Sequence, residues 1–238
     1  MRAQLPQRAP LIEHYRVSDR RTPRVRVNFI ASLDGAATHE GLSGGLNNAD
    51  DKIVFDTLRL LTDVILVGAG TVRAEGYGGI RMSAEDGAWR VAQELSAQPS
   101  LAIVSGRLDL DPRHPVFTDA ATRPIVLTHA AAPADRRAAL AKVADLVDCG
   151  EDAIDPHRMV AALAARGLPQ ILCEGGPHLF GDLIEADCVH ELCLSLSPVL
   201  EGGAAGRISV GATTATRAME LLHVLRAGDM LFLRYARR

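Results

Sequence analysis

Three apolar, β-prone runs in this chain each end in a short polar turn, and that repeated design constrains the fold more than any other feature. Val27-Asn28-Phe29-Ile30-Ala31-Ser32-Leu33-Asp34-Gly35 runs straight into a carboxylate and a glycine turn. Asp63-Val64-Ile65-Leu66-Val67-Gly68-Ala69-Gly70-Thr71-Val72-Arg73 and Ile171-Leu172-Cys173-Glu174-Gly175-Gly176-Pro177 follow the same plan. Enzymes built on sheets place their chemistry at strand ends. Three such ends predict a site assembled at the mouth of one sheet.

From Val25 onward apolar runs alternate with helical patterns. Strands are predicted over 25–32, 63–67, 101–104, 124–128, 145–148, 170–173, 191–196 and 230–235, and helices over 49–61, 133–142, 156–166 and 177–186. The first of these helices follows the cap residues Asn47 and Asn48 and carries Val54, Leu58 and Leu61 on one face. Pro133 suits a first helical position. Alternation of this kind predicts an α/β fold with a mostly parallel sheet and helices on both faces. The last two strands lack a helix between them and read as an antiparallel edge. Residues 1–23, rich in Arg and Pro, read as an extended or partly disordered arm that Leu11, Ile12 and Tyr15 pin to the body, and 24–238 as one domain. Residues 74–99 read as a long surface loop.

At 238 residues the chain can bury roughly 70–75% of its unfolded surface without staples. A net charge of −3, spread along the whole length, argues against a dedicated nucleic-acid or membrane-surface protein. No leader pattern or membrane-length apolar run is present, so a cytoplasmic protein is expected. Cys149, Cys173, Cys188 and Cys193 show no CxxC spacing and read as buried, reduced thiols. The eight histidines form no metal-binding pattern, and no metal is expected.

At Glu174-Gly175-Gly176-Pro177 a buried strand meets two glycines and a helix-opening proline. Helix starts offer free N–H groups and a partial positive charge, which suits a pyrophosphate; a plain strand-to-helix turn would need the same residues. Glu174 would repel a phosphate and so suits a neutral, hydrogen-bonding part of another ligand. Gly68-Ala69-Gly70-Thr71 is a second glycine turn, but Arg73 stands where GxGxxG needs its third glycine, so the standard dinucleotide fingerprint is excluded. Asp34 is either a turn acid or a carboxylate that orients an aminopyrimidine or pterin ring. Arg59 is either a solvated cation at a helix end or the fork that holds a substrate phosphate. Ser105-Gly106-Arg107 offers a hydroxyl and a cation to a ribose 2′-phosphate, or is an ordinary turn.

Together these segments resemble the pyrimidine reductase of riboflavin biosynthesis, the reductase half of the bifunctional deaminase-reductase, whose fold is dihydrofolate-reductase-like. Asn28 to Gly35, Leu58-Arg59, Asp63 to Arg73, Glu174 to Gly181 and Asp187 to Gly203 stand in family order, and the resemblance spans about residues 25–235. It implies reduction of the ribosyl side chain of 5-amino-6-ribosylamino-pyrimidinedione 5′-phosphate to the ribityl form, with NADPH as cofactor. NADPH would lie on Gly70, Thr71, Glu75, Ser105, Gly175, Gly176, Pro177, His178 and Leu179. Arg59, Glu174, Ser43, Gly44 and Gly79 would contact substrate, and Asp34 would sit beside the reacting carbon as a catalytic residue.

Several positions depart from the family pattern. Ala36 and Ala37 follow the Asp-Gly pair where a lysine or arginine often stands. Ser43-Gly44-Gly45-Leu46 replaces a serine and tryptophan, and Ala74 to Arg81 replaces an Asp-rich, Pro-containing stretch, with Glu75 in place of an aspartate. These changes leave room for a pterin or another small imine or carbonyl substrate. A nucleotide-binding regulator that has lost catalysis is the remaining alternative, which the joint presence of Asp34, Arg59, Thr71 and Glu174 disfavours. The deaminase zinc signature does not occur, so the resemblance implies deamination by another protein. The run 230–235 would expose an apolar strand edge in a monomer, which predicts a homodimer.

Overall fold

The computed structural model describes residues 4–238, and one nine-stranded sheet organises them. In chain order the first elements are α1 (Arg8–Tyr15), β1 (Arg24–Ser32), α2 (Ala49–Leu60), β2 (Val64–Gly68), α3 (Ala69–Ala74), α4 (Ala84–Ala92), β3 (Ser100–Val104) and α5 (Pro115–Thr118). They are followed by β4 (Ile125–Thr128), α6 (Ala134–Leu140), β5 (Asp145–Asp148), α7 (Pro156–Ala164), β6 (Gln170–Cys173), α8 (Pro177–Glu185), β7 (Glu191–Ser197), β8 (Met219–Ala227) and β9 (Met230–Arg237). The sheet order is β5-β4-β3-β2-β6-β1-β7-β9-β8. Every pairing from β5 to β7 is parallel, and β9 pairs antiparallel with both β7 and β8. The expected α/β fold, mostly parallel with an antiparallel C-terminal edge, is the observed one.

Register explains how both faces become core. Val25, Ile171 and Val64 are aligned across β1, β6 and β2. With Val27 and Leu66 they pack against Met159 and Leu163 of α7 and Leu179 and Leu183 of α8. The alternate residues Ile65 and Val67 face the other way, onto Val72 of α3, Phe117 of α5 and Leu140 of α6. Side chains in a strand alternate between faces, so a strand buried on both sides must be apolar throughout. The run Val64-Ile65-Leu66-Val67 is wholly buried for that reason.

Four features differ from the sequence expectation. Residues 8–15 of the arm are helix rather than extended chain; α1 sinks Leu11, Ile12 and Tyr15 against Val54 and Leu58 of α2 and Phe232 of β9. Residues 1–3 of the expected arm lie outside the described residues. Within 74–99 stands α4, started by Ser83, whose hydroxyl accepts from the Asp86 N–H at 3.0 Å. Its buried Arg90 donates to the carbonyls of Leu60 and Thr62, each at 2.8 Å, and so satisfies the otherwise orphaned end of α2. The strand β8 was not expected. It makes 230–237 an interior strand, and the open edge at this end of the sheet is β8 itself.

Candidate active site

The order β2-β6-β1 creates the site. The chain leaves β1, builds β2 to β5 outward, then returns to insert β6 between β2 and β1. Ligands of open parallel sheets bind outside the carboxyl ends of strands at such a reversal. Here a cavity of about 940 Å³ lies across the carboxyl ends of β2, β3 and β4 and the start of α8. A second cavity, of about 340 Å³, lies between β1, α2 and the Glu174 turn. Thr38, Thr71, Glu75, Gly176 and Pro177 line both, so the two are compartments of one cleft.

The larger compartment is shaped by close backbone approach. Gly175 and Gly176 have φ of +145° and +95°, conformations that side chains disfavour. A Cβ on Gly175 would stand 3.3 Å from Thr71 Cγ2, and one on Gly176 would stand 3.5 Å from the Gly68 Cα. Backbone at the α8 entrance is thereby bare toward the cavity. Among the described residues no backbone carbonyl accepts from the His178 or Leu179 N–H. Free N–H groups, a helix start and a glycine pair fit a dinucleotide's phosphates. The expected cofactor residues Gly70, Thr71, Glu75, Ser105, Gly176, Pro177, His178 and Leu179 line this compartment. Gly175 lines the smaller one. Arg73, Arg107 and His129 also border the larger compartment, with Asp109 set between Arg73 and Arg136 at 3.9 and 3.8 Å.

In the smaller compartment Glu174 is the best-held acid. Arg59 grips it bidentately, Nε to Oε1 at 2.7 Å and an Nη to Oε2 at 2.6 Å. The Tyr77 hydroxyl donates to the same Oε2 and accepts from Arg59 at 3.0 Å. Arg59 also stacks on the Phe55 ring, 4.2 Å from its centroid. Burial by itself would lower the Arg59 pKa; Glu174 and Tyr77 outweigh it and raise the value. Burial, reinforced by Glu174, pushes the Tyr77 phenol well above its ordinary range. Arg59 lines neither compartment. Its Nε and one Nη are taken up by Glu174, which departs from the expected substrate contact.

Asp34 also departs from expectation, for it lines neither compartment. Its carboxylate accepts from the backbone N–H of Glu201 at 3.1 Å and of Gly202 at 2.7 Å, and from the Ser32 hydroxyl. Those bonds, the Ser32 bond foremost, hold its pKa at about 2. An acid held so low carries no proton to donate near neutrality; Asp34 fastens the 198–216 loop to the end of β1. Ser43 lines the smaller compartment, where its N–H donates to Glu75 at 3.1 Å. Gly44 lines neither compartment. Gly79 packs instead on Asp119, where a Cβ would meet backbone at 2.4 Å.

Sequence reasoning missed Asp51. It lines the smaller compartment from the first turn of α2, with Phe29, Phe55 and Ile208 nearby. Burial raises its carboxyl above the ordinary range, with Ser195 opposing the shift. Among the described residues no cation pairs with it. The clue was available: Asp51 precedes Val54 by three and Leu58 by seven, on the inward stripe of the helix.

The sequence model of the family described as RibD C-terminal domain matches residues 23–233. The chain is 29% identical over 182 residues to a 2,5-diamino-6-ribosylamino-4(3H)-pyrimidinone 5′-phosphate reductase of Archaeoglobus fulgidus, covering 76% of this chain and 83% of that one. It is 26% identical over 199 residues to riboflavin biosynthesis protein RibD of Mycobacterium tuberculosis, covering 83% of this chain and 49% of the relative. Its fold matches the crystal structure of a pyrimidine reductase-like protein from Corynebacterium diphtheriae with a TM-score of 0.82 at 25% identity, covering 91% of this chain and 92% of that one.

Proposed function

Because the chain belongs to the RibD C-terminal domain family, we propose that it is the NADPH-dependent reductase that converts the ribosyl side chain of 5-amino-6-ribosylamino-pyrimidinedione 5′-phosphate to the ribityl form. The observation that carries this reading is the shared wall of the two compartments. A dinucleotide in the larger and a pyrimidine in the smaller meet at Thr71, Glu75 and Gly176. NADPH, when bound, supplies the hydride.

The residues divide the remaining work. Gly175, Gly176 and the α8 N–H groups take the pyrophosphate, and Ser105 with Arg107 takes the 2′-phosphate that distinguishes NADPH from NADH. Glu174, oriented by Arg59 and Tyr77, keeps a lone pair on Oε1 for a ring N–H or amino group. Reduction of an opened-sugar imine places a hydride on C1′ and a proton on nitrogen. Burial lets Asp51 hold a proton closer to neutral pH than an exposed aspartate does, and we assign that proton to it. Phe29, Phe55 and Ile208 exclude water from the reacting atoms.

A pterin substrate is the second reading, favoured by the same Asp51, since a half-buried carboxyl beside apolar walls also suits an aminopteridine ring. The proposal includes a cytoplasmic location, which the four free, buried thiols support. We also propose a homodimer through β8, supported by its open edge and the exposed Leu221, Leu222 and Val224. NADPH oxidation followed at 340 nm, a wavelength set by the reduced nicotinamide, tests the function with three substrates: the pyrimidinedione phosphate, its 2-amino counterpart and dihydrofolate. Turnover of a pyrimidine supports the proposal, and turnover of dihydrofolate alone replaces it with the pterin reading.

A further inference from the structure

We propose that His39 is a positioning residue: its ion pair with Glu201 straps the 36–46 loop across the mouth of the cleft, and the strap slackens when His39 gives up its proton. The loop reaches both compartments. Thr38 lines the two of them, Gly41 the larger and Ser43 the smaller. At one end of the strap the Ser43 N–H donates to Glu75, a residue of the shared wall, at 3.1 Å. At the other end His39 Nδ1 lies 2.8 Å from Glu201 Oε2 on the 198–216 loop. Gly206, Arg207 and Ile208 of that loop also line the smaller compartment.

Both partners are held for this contact. The backbones of His39 and Leu42 exchange two N–H to carbonyl bonds, each at 3.0 Å, which close a tight hairpin. Gly45 packs so near that a Cβ there would stand 2.9 Å from the His39 Cβ and 3.0 Å from its Cδ2. A larger residue at 45 would displace the imidazole, which accounts for glycine at this position. On the opposing loop the Glu201 N–H donates to Asp34 Oδ1 at 3.1 Å and the Gly202 N–H to Oδ2 at 2.7 Å. Glu201 is thus fixed through its backbone, and among the described residues its carboxylate meets His39 alone.

The charge of His39 follows from the same contacts. Its hydrogen bond to Glu201 and the negative charge of Glu201, helped by Glu40, raise the imidazole pKa above the ordinary value, with burial opposing. The 43–46 turn packed on the ring brings no titratable group. With the folded value raised, the strap is complete below the unfolded value of 6.5 and weakens as pH rises through the folded one. A neutral imidazole can still donate from Nδ1, but it loses the charge assistance that strengthens such a bond about twofold. A loop ordered in advance lowers the cost of binding, so the smaller compartment holds its ligand more tightly with the strap closed.

The test compares the full chain as wild type, His39→Gln, Glu201→Gln and the double variant between pH 6 and pH 8.5. Rapid-mixing amide exchange read by mass spectrometry follows the 36–46 segment without any substrate, and the intrinsic pH dependence cancels in the ratio of variant to wild type. At pH 6 the variants should exchange about two- to fivefold faster in that segment, the size of an exposed charge pair, with the double variant no faster than either single one. Toward pH 8.5 the ratio should fall to about one. KM for the pyrimidinedione phosphate, a measurement that rests on the reductase reading, should follow the same course by about the same factor. The substrate's phosphate also ionises near pH 6, but alike for all four proteins, so the ratio isolates the strap. Effects that add in the double variant, or ratios that do not change with pH, overturn the strap. Wild-type protein that reduces no pyrimidine removes the reductase reading alone, and amide exchange then decides the strap by itself.

Discussion

Replacing Arg59 with alanine separates two accounts of that residue. If its fork were free for substrate, the variant would fold normally and only KM would suffer. In the structure it is the counter-ion of Glu174, whose side chain is 1% exposed against 20% for Arg59. Removing one partner of a buried pair costs about 3–5 kcal/mol, because the other charge is stranded. The partial exposure of Arg59 places this case near the lower end, about 3 kcal/mol. For a chain of this size each kcal/mol lowers the melting temperature by about 2–4 °C, so a loss of about 6–12 °C is expected. Thermal unfolding followed by circular dichroism reads it directly. The double variant Arg59→Met/Glu174→Gln, which strands no charge, should recover part of the loss. An Arg59→Ala protein that melts like wild type and differs only in KM for phosphorylated substrate would refute the reasoning.

Three further outcomes are expected. Asp51→Asn, nearly isosteric, should lower turnover by about 10²–10⁴-fold while NADP⁺ still binds, within the usual span for lost acid–base assistance; unchanged turnover would take Asp51 out of the mechanism. Gly176→Ala places a side chain at a φ of +95° with its Cβ 3.4 Å from Leu179 Cβ. It should weaken NADP⁺ by about tenfold or more, since left-handed backbone costs a substituted residue about 1–2 kcal/mol and the cradle is filled as well; titration by intrinsic fluorescence checks it. His223, with its ring against Tyr15 and His14, is held by burial and then by Arg234 at a pKa of about 4. A histidine favoured neutral in the folded state gives full stability above its unfolded value of 6.5, and loses it as pH falls toward about 4. The unfolding free energy from urea titrations should therefore fall from pH 7 to pH 5, by up to about 1.4 kcal/mol per pH unit. His223→Leu should flatten that slope, and an equal slope in both proteins would assign it elsewhere.

How far the sequence could be read follows from the range of the forces involved. β2 was legible because burial on both faces demands an unbroken apolar run, and the glycine turns after β2 and β6 were legible because they are local in sequence. β8 was not legible. Met219-Glu220-Leu221-Leu222-His223-Val224-Leu225 fits a helical period as well as a strand one, and most of its side chains are exposed, so burial left little pattern. The small α1 was hidden by its length, although its three inward residues were noticed. Site contacts were least legible where they depend on distant partners. Asp34 looked catalytic because nothing nearby in sequence announced that Glu201 and Gly202 would donate to it. Arg59 looked free because Glu174 lies 115 positions away.

The central claim is that hydride passes at the shared wall of the two compartments to C1′ of the sugar. It is tested most directly with NADPH deuterated at both C4 positions of the nicotinamide and the pyrimidinedione phosphate as substrate. Mass spectrometry and NMR of the product should find one deuterium, on C1′ of the ribityl chain. Consumption of the labelled cofactor without deuterium on that carbon would contradict the account.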